Sequence, residues 1–562
     1  MTFLGLFDSL RSALVIRALG GRRKAARHSA AGILRVVRGN GRHLRAVVVP
    51  GATDWAARAR NFNIVVTLFD EAEIDYFCVR SAPGQASVIA VPAAQRDEVH
   101  EVLRLAFDRN PGYVGPADAK DDALRDGGAS STWRRAADWS VLRVVWVVSD
   151  PTENLVFAAG NGCEIEFWSD ELGRLTSPRP NETLTDFIDV GERVAAPQAL
   201  FSLIPAAYTT GVARTLPEFT DPLPHDHLFP VDVVYTWVDD SDPYWRAQRD
   251  AVRSGGLAAP LHAQAANDAR FTSRDELRYS LRSLHQYAPW IRTIYLVTAG
   301  QVPRWLDTDA FGIQVIDHQD IFSDPGALPT FNSHAIESQL HHIDGLSEHF
   351  LYLNDDVFLG RPVQPGHFFH PNGISKFFPS KALVPTGPAG PDDLPVDAAG
   401  KNSRELVARE FGVRTAQKMK HTPHALRRSV LSEIEQVYAR DHLRTQYSRF
   451  RSPDDVPITS SLHHYYGYRT GRATTGGLRY TYIDLAAELA QKRLNLLQAK
   501  RNFDTFCLND TVEHPDPEAQ ERMVQDFLNA YFPVPSRFER TETDSRRVSA
   551  VRSRRALKAS RR

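Results

Sequence analysis

Cysteine is scarce in this sequence, which excludes two common kinds of structural cross-link. The 562 residues include three cysteines, Cys78, Cys163 and Cys507, which lie far apart and are odd in number. Such a set forms neither a disulfide framework nor a cysteine zinc site. We therefore expect a protein of a reducing compartment, the cytoplasm.

Long apolar runs are also absent. No segment approaches the ~18 consecutive apolar residues that a membrane-spanning helix needs. The longest apolar stretch, VLRVVWVV at 141–148, is interrupted by Arg143 and is typical of a buried strand. Near the N-terminus, Asp8, Arg11 and Arg17 break up the apolar core that a signal peptide requires. The sequence therefore predicts neither a membrane span nor a secretory signal.

The chain has no overall excess of charge of either sign. It carries 67 Lys and Arg against 68 Asp and Glu, a net charge of -1, so no general field attracts nucleic acid. Residues 1–45, however, carry ten basic residues against one acid, and residues 546–562 carry eight against none. Basic ends favour an anionic partner such as the inner face of the plasma membrane. Solvated tails are the alternative.

Length and composition predict a chain of several domains. At 562 residues, 42% of them hydrophobic, it has material for about three domains of ~150 residues each. The predicted divisions are a basic amphipathic segment 1–45, a small α/β domain 46–170, a linker or wrapping segment 171–228, a larger domain 229–515 with a loop insertion 362–402, and a C-terminal helix with a basic tail 516–562. Within the small domain, NIVVTLFD (63–70) predicts a strand and AQRDEVHEVLRLAF (94–107) a helix.

Strands and helices alternate from residue 229 onward. VDVVYTWV (231–238), TIYLVTAG (293–300), IQVID (313–317) and HFLYLN (349–354) predict strands. The intervening segments 273–288 and 334–343 predict helices, the first capped by Ser273 with Glu276 three residues on. Residues 403–445 also read as helices. Such alternation predicts a mostly parallel sheet, which binds ligands at the carboxyl ends of its strands.

Asn354, Asp355 and Asp356 follow directly after one predicted strand. At such a strand end, adjacent carboxylates can bind a hard cation such as Mg²⁺, which in turn holds phosphate oxygens. The alternative is the turn of a β-hairpin, because Asn-Asp pairs tolerate positive φ and apolar runs flank both sides.

A second acidic segment, VYTWVDDSDPYW, follows the first predicted strand of this domain. Trp237, Asp239 and Asp242 could bind the ribose or base of a nucleotide, as an acid at a strand end does in other sheet folds. The alternative is an Asx turn in which Asp242 caps the next helix.

Basic and imidazole side chains recur beside these acids. Arg274, Arg278 and Arg282 are spaced by four residues on one helix and could clamp a diphosphate. Solvent exposure with pairing to neighbouring acids is the alternative. Further candidates are His421 and His424 of KHTPHALRR, Arg451 of SRFRSPDD, and Asn509 and Asp510 of CLNDTVEH. The HxxH spacing is a fragment of a zinc pattern, but no third ligand accompanies it at zinc-site spacing.

Several segments together resemble one family. These are VDVVYTWVDDSDP, RFTSRDELRYSLRSLHQYAPWIRTIYLVTAGQVPRWL, DHQDIFSDPGALPTFNSHAIESQLHHIDGLSEHFLYLNDDVFLGRPV, KHTPHALRR and FDTFCLND. They are similar to the four conserved regions of the Stealth family, which includes bacterial capsular polysaccharide phosphotransferases and the animal enzyme that makes the lysosomal mannose-6-phosphate tag. The resemblance covers most of 229–515.

The resemblance implies a fold and a reaction. The fold would be α/β, with a Rossmann-like (GT-A-like), mostly parallel catalytic sheet, a helical portion and a separate small N-terminal α/β domain. The reaction would pass a sugar-1-phosphate from a UDP-sugar to a hydroxyl of an oligosaccharide acceptor, releasing UMP, with Mg²⁺ or Mn²⁺ as cofactor. A conventional glycosyltransferase that releases UDP, or a non-catalytic glycan- or nucleotide-binding protein, is the alternative.

The resemblance also implies roles for individual residues. Asp355 and Asp356 would hold the metal and diphosphate, and His424 and Arg451 would complete the catalytic set. The substrate-binding set would comprise Trp237, Asp239, Asp242, Arg274, Arg278, Arg282, Asn354, Glu337, His421, Asn509 and Asp510. The animal enzymes carry Asn and Gly where this chain has Asp239 and Asp240, which puts the base or ribose preference in doubt.

Overall fold

The computed structural model describes two compact units, Met1–Leu223 and Pro224–Arg562. The described residues are 33–39, 41–81, 86–117, 119–180, 183, 187–189, 191–202, 211–255, 271, 273–509 and 516–540. Most of the amphipathic segment, the basic tail after residue 540, and Asp510 lie outside them. Within the described residues, no helix is both long enough and apolar enough to cross a membrane.

The first unit is an α/β structure built on two main sheets. Its strands are β1 Ile33–Gly39, β2 Arg42–Val48, β3 Phe77–Val79, β4 Ser87–Pro92, β5 Tyr113–Pro116, β6 Arg125–Asp126, β7 Val141–Val145, β8 Val148–Ser149, β9 Val156–Phe157, β10 Cys163–Glu171, β11 Arg174–Thr176, β12 Phe187–Asp189, β13 Val194–Pro197 and β14 Val212–Thr215. Its helices are α1 Asp54–Glu71, α2 Arg96–Arg109, α3 Ser130–Ala136 and α4 Ala199–Ser202. One sheet has the order β1-β2-β8-β9; the other has the order β12-β11-β10-β7-β5-β6, with β4 also pairing with β10.

The strand predicted at 63–70 is wrong, because these residues complete helix α1. The Thr53 hydroxyl accepts a hydrogen bond from the Ala56 N–H at 3.2 Å and caps the helix. Phe62, Val65 and Phe69 then fall on one buried helical face. The β-branched residues of this run have a local preference for a strand. Burial of the helical face outweighs that preference, so the segment is helical.

The segment 171–228 contributes strands to the first unit. β11 pairs with β10, β12 pairs with β11, and β13 pairs with β14. Each of these strands is only three or four residues long. Such short strands give no recognisable alternation in a Pro-rich segment, so the sequence predicted a linker.

The second unit is organised around a five-stranded sheet. Its strands in spatial order are β17 Ile313–Asp317, β16 Ile294–Thr298, β15 Val231–Thr236, β18 His349–Asn354 and β23 His424–Arg427. The first four are parallel and β23 is antiparallel at the edge. Numbered along the chain, the parallel strands have the order 3-2-1-4 of doubly wound nucleotide-binding sheets. The predicted α/β class and mostly parallel sheet are confirmed.

Smaller elements surround this sheet. The other strands are β19 Val357–Leu359, β20 Ser375–Phe377, β21 Pro379–Leu383, β22 Gln417–Met419, β24 Ala473–Thr475, β25 Tyr480–Asp484 and β26 Thr505–Asn509. The helices are α5 Pro243–Ser254, α6 Glu276–Tyr287, α7 His318–Ile321, α8 Ser333–Glu337, α9 Pro395–Phe411, α10 Arg428–Val437, α11 Ala439–Tyr447, α12 His463–Arg469, α13 Ala490–Lys500 and α14 Pro517–Tyr531. The segment 362–402 thus contains two strands and the start of α9.

Both faces of the main sheet are buried. Along β18, Leu351 and Leu353 pack into the core that α6 covers, and Phe350 and Tyr352 pack into the opposite core. Parallel strands covered on both faces read as continuous apolar runs, as HFLYLN does. On α6, Leu277, Leu281 and Leu284 are each no more than 1% exposed, and full burial of one such side chain contributes about 1.5–3 kcal/mol.

The hairpin interpretation of Asp355 and Asp356 is wrong. Strand β18 belongs to the main sheet, whereas β19 pairs with β26 in a separate sheet of order β19-β26-β25. The two aspartates therefore form a turn at which the chain passes from one sheet to another. This turn lies at the carboxyl end of a central parallel strand.

Arg278 and Arg282 do not form the predicted diphosphate clamp. The Arg278 Nε atom lies 2.6 Å from a Glu539 carboxylate oxygen, and Arg282 binds the same carboxylate with two nitrogens at 2.8 and 2.7 Å. Arg282 and Glu539 are almost fully buried. These guanidinium groups fasten the C-terminal segment onto α6, because the buried carboxylate needs their compensating charge.

We predict that Glu539→Gln lowers the free energy of unfolding by about 3–5 kcal/mol, since the buried Arg282 guanidinium loses its counter-charge. Urea unfolding followed by far-UV circular dichroism measures the change. The matched control is Glu518→Gln, which removes an exposed carboxylate paired with Arg522 on α14 and should change stability by less than about 0.5 kcal/mol. Equal effects of the two substitutions would contradict a structural role for Glu539.

Candidate active site

The candidate site lies where the strand order of the main sheet reverses. Strands β15 and β18 are neighbours, with Thr236 opposite Asn354 at their carboxyl ends. The connections after these two strands lead away in different directions, and such a switch point opens a crevice at the sheet edge. Trp237 and Asp239 follow β15, and Asp355 and Asp356 follow β18.

Three carboxylates meet at this edge. Desolvation first, and then the neighbouring carboxylates of Glu276 and Asp356, raise the pKa of Asp355 well above its ordinary value. Desolvation, with a smaller contribution from Asp356, raises the pKa of Glu276 from 4.5 to about 7. Three acids held this close repel one another when ionised. We refer to Glu276, Asp355 and Asp356 as the carboxylate cluster.

Glu276 is a site residue that sequence reasoning missed. It is the first residue of α6, and the preceding Asp275 has a left-handed φ of 62°. Its Oε2 accepts a hydrogen bond from the Arg274 N–H at 2.6 Å, and Ser273 does not cap the helix. The spacing Ser-x-x-Glu favoured a capping role, and no feature of the sequence alone indicated that β18 ends beside it.

Asp356 is held by the strand that carries Asn509. Its Oδ2 accepts hydrogen bonds from Asn509 Nδ2 at 3.0 Å and from the Cys507 thiol at 3.3 Å, and its carbonyl accepts one from the Leu508 N–H at 3.1 Å. Its other carboxylate oxygen, Oδ1, is buried without a hydrogen-bond partner among the described residues. The carboxylate is thus fixed in orientation with one oxygen left for a ligand.

The carboxylate cluster fits the divalent cation that the family resemblance implies. Its donors are carboxylate oxygens, which Mg²⁺ and Mn²⁺ prefer, and the unpartnered Oδ1 of Asp356 needs a positive partner. Without a cation, burial, followed by Asp356, raises the pKa of the Cys507 thiol well above its ordinary value, so this thiol keeps its proton and donates to Asp356. A cation here would also relieve the repulsion between the carboxylates.

His421 and Asn354 border the cluster. The Asn354 side-chain amide donates to His421 Nε2 at 3.2 Å, so the ring proton lies on Nδ1. That Nδ1 faces Cys507 Sγ at 3.2 Å and Asp356 Oδ2 at 3.7 Å. The structure therefore brings together four of the residues predicted for the site: Asn354, Asp356, His421 and Asn509.

A second group of polar residues lies on the opposite face of the same strands. Glu337, at the end of α8, accepts hydrogen bonds from Thr459 at 2.6 Å and from the Tyr352 hydroxyl at 3.3 Å. Desolvation lowers the pKa of Arg451, against the opposing charges of Glu337 and Asp455. Arg451 also donates to the Ser333 hydroxyl at 2.9 Å. The predicted residues Glu337 and Arg451 are therefore neighbours, and both interact with Tyr352.

His424 joins this group from the edge strand. Residues 403–445 read as helices, but His424 begins the strand β23 and stands opposite Tyr352 in its register with β18. Its Nδ1 lies 3.0 Å from His464 Nε2. Burial, followed by the neighbouring rings of His464 and His421, lowers the pKa of His424 well below its ordinary value. His424 is therefore neutral at physiological pH.

The segment after β15 forms the predicted Asx turn. Asp239 Oδ1 accepts from the Ser241 N–H at 2.9 Å, and Asp242 caps α5 by accepting from the Tyr244 N–H at 2.9 Å. Gln301, from the loop after β16, donates to the Asp239 carbonyl at 2.8 Å. Trp237 packs against the core beneath. The capping interpretation of Asp242 is confirmed.

Arg274 contacts both the carboxylate cluster and helix α14. One of its guanidinium nitrogens lies 3.8 Å from Glu276 and another donates to Gln520 at 3.1 Å. Unlike Arg278 and Arg282, it adjoins the carboxylate cluster. The structure therefore keeps one of the three arginines near the site.

Comparison with known proteins identifies the family. The models of Stealth conserved regions 1, 2, 3 and 4 match residues 229–256, 270–377, 420–468 and 495–550. An exopolysaccharide phosphotransferase of Streptomyces coelicolor is 48% identical over 506 residues, which cover 89% of this chain and 86% of that protein. The exopolysaccharide phosphotransferase CpsY of Mycobacterium tuberculosis is 41% identical over 507 residues, covering 89% and 92%.

Together these matches define a sugar-phosphate transferase class of protein. The chain belongs to the Stealth family, and the four matched regions carry the site residues described above. A solved structure of the galactosyltransferase LgtC matches this chain at 11% identity and a TM-score of 0.28. The match covers 53% of this chain and 96% of the LgtC chain. A likeness this weak carries no argument about this chain.

We predict a pH-dependent stability that depends on Glu276. Between pH 4.5 and about 7, folded Glu276 keeps a proton that the unfolded chain has released, so stability falls as pH rises through this window. Glu276→Gln should flatten this fall when thermal midpoints are measured in EDTA. Added Mg²⁺ should raise the thermal midpoint of the wild-type chain at pH 7.5. It should raise the midpoint of Glu276→Gln by a smaller amount.

The control is Glu518→Gln, whose side chain is 87% exposed. It should follow the wild-type pH dependence. If the thermal midpoints of wild type and Glu276→Gln changed with pH in the same way, Glu276 would not be the source of the pH dependence of stability.

Proposed function

We propose that this protein transfers a sugar-1-phosphate from a UDP-sugar to a hydroxyl of an acceptor glycan. The acceptor oxygen forms a bond to the phosphorus that carries the sugar, the bond from that phosphorus to the bridging oxygen breaks, and UMP leaves. The product is a phosphodiester-linked cell-surface polysaccharide. The names of the relatives, exopolysaccharide phosphotransferases, support this class of reaction.

One observation supports the reaction most directly. The carboxylate cluster lies at the carboxyl end of β18, and His421, 3.7 Å from Asp356, also neighbours His424. Phosphoryl transfer demands little covalent chemistry from a protein; it requires in-line positioning and stabilisation of charge on the phosphoryl oxygens. In the proposed reaction the cation site, the Arg451 guanidinium and the His424 base would meet these requirements at the end of this strand.

Asp355 and Asp356, with Glu276 beside them, would hold Mg²⁺ or Mn²⁺, which when bound neutralises charge on the diphosphate. Arg451 would bind phosphoryl oxygens from the other side, since its guanidinium is fixed by Ser333 and flanked by Glu337. Asn354, His421 and Asn509 would orient the carboxylates and the donor sugar. Arg274 replaces Arg278 and Arg282 as the arginine assigned to the donor.

His424 is the proposed general base. If its Nδ1–H donates to His464 Nε2, the free lone pair lies on Nε2, which has no hydrogen-bond partner among the described residues. A neutral imidazole in this tautomer can take the proton of the acceptor hydroxyl. His464 would then be a positioning residue that holds the tautomer.

Trp237, Asp239 and Asp242 would bind the nucleoside, because they follow the first strand of the sheet, where such folds bind ribose. The UDP-sugar donor and the location at the cytoplasmic face of the membrane are parts of the same proposal. Most of the basic ends of the chain, which the location would use, lie outside the described residues.

The freed nucleotide distinguishes the alternatives. The purified chain is incubated with UDP-sugars, Mg²⁺ and oligosaccharide acceptors, and the products are separated by anion-exchange chromatography. We expect UMP in amounts equal to the phosphodiester formed. UDP would instead identify a conventional glycosyltransferase, and the absence of both nucleotides with retained UDP-sugar binding would identify a binding protein.

We predict that His424→Ala lowers turnover by about 10²–10⁴-fold, the usual contribution of general acid–base catalysis, with little change in donor affinity. Steady-state UMP release measures turnover, and calorimetric titration with the UDP-sugar measures affinity. The control is His225→Asn, an exposed histidine of the same unit, which should retain full activity. Weakened donor binding with unchanged turnover would make His424 a binding residue.

A further inference from the structure

Three histidines and a glutamate converge away from the carboxylate cluster. His341 and His342 end the short 3₁₀ helix Leu340–His342, Glu435 lies on α10, and His442 lies on α11. His341 Nε2 and His342 Nε2 lie 2.6 and 3.0 Å from the same oxygen of Glu435. His442 Nδ1 lies 3.9 Å from its other oxygen. We name these four residues the His₃Glu cluster.

The separations agree with tetrahedral coordination. Zinc binds imidazole nitrogen and carboxylate oxygen at about 2.0–2.2 Å, which places neighbouring ligand atoms about 3.3 Å apart. His341 and His342 approach one Glu435 oxygen at 2.6 and 3.0 Å, and the ligand atoms of these three residues all lie within 4.8 Å of one another. His442 lies farther out, 3.9 Å from the other carboxylate oxygen. His341 and His442 are 2% and 3% exposed, whereas His342 and Glu435 are each 29% exposed. The cluster is therefore nearly closed, with an approach from solvent at one side.

The hydrogen bonds outside the cluster orient two of the rings for a metal. His342 Nδ1 lies 3.0 Å from the Ile321 carbonyl, and His442 Nε2 lies 2.9 Å from the Ser338 carbonyl. A carbonyl only accepts, so these nitrogens carry the ring protons of the neutral imidazoles. The opposite nitrogens then direct lone pairs towards Glu435. Metal-binding histidines almost always show this outer hydrogen bond to a carbonyl or carboxylate.

Without a cation, these lone pairs would face a carboxylate oxygen. A protonated His342 paired with Glu435 is the alternative, but it leaves the buried His442 directing a lone pair at the same anion. A cation satisfies both histidines and the glutamate together.

We propose that His341, His342 and Glu435 bind a structural zinc ion and that His442, which lies beside them, completes its coordination. With His442 drawn in as the fourth ligand, the ion would have no open position, as in structural rather than catalytic zinc sites. The ion would join the segment after α8 to α10 and α11. Because Ser338, which receives the His442 hydrogen bond, directly follows Glu337, the site would also fix the end of α8 that carries Glu337.

Metal analysis of the full-length chain, produced without a histidine tag, tests the proposal. After incubation with Zn²⁺ and gel filtration, we expect one zinc per chain by mass spectrometry, and a higher thermal midpoint with zinc than with EDTA. Co²⁺ should give the visible absorption of a tetrahedral site without a thiolate charge-transfer band. That band would instead indicate binding at Cys507, His421 and Asp356, the other group of metal-binding side chains, and would overturn the proposal.

Variants localise the ion. Glu435→Gln keeps the size of the side chain, and His342→Asn changes the half-buried ring; each should weaken zinc binding by about 100-fold or more, beyond the usual effect of outer-shell changes. His225→Asn and His421→Asn should retain one zinc. Thermal midpoints in EDTA report whether the variants fold. A wild-type chain that binds no zinc, or variants at Glu435 and His342 that keep it, would overturn the proposal.

Discussion

Mutual repulsion of carboxylates at one sheet edge is the constraint on which the rest of the second unit depends. Glu276, Asp355 and Asp356 are held together although ionisation sets them against one another. A fold tolerates such a cluster only where the surrounding structure fixes it and a cation can compensate the charge. The cost of holding these acids together is the clearest physical sign of a functional site in the described residues.

Much of the surrounding structure serves to fix this edge. The β19-β26-β25 sheet presents Asn509 and Cys507 to Asp356, and the turn Asp355–Asp356 joins that sheet to the main one. Helix α6 places Glu276 by its first turn, and Glu539 anchors the same helix through Arg278 and Arg282. The arginines that the sequence offered as substrate ligands thus support the site from behind.

The two faces of the central strands carry different kinds of polar side chains. Residues on the α6 side are acidic and suit a cation with its diphosphate. On the other side, Tyr352 connects Glu337 and Thr236 by hydrogen bonds and stands opposite His424. Alternation along β18 places these groups on opposite faces, so one strand organises both the charge-stabilising and the proton-accepting parts of the proposed mechanism.

The sequence by itself determined the parallel strands of the main sheet, because their apolar runs are continuous and each ends at a polar residue. Strands 313–317 and 349–354 have the predicted bounds, and the family resemblance supplied Glu337, His424 and Arg451. Only the tertiary structure decided which charges face each other. Glu276 lies 79 residues before Asp355, and His342 lies 93 residues before Glu435. Local spacing cannot encode such encounters, since they depend on how helices and strands pack. The same reason explains the wrong strand at 63–70 and the wrong role for Arg278 and Arg282, where burial and a distant carboxylate override local pattern.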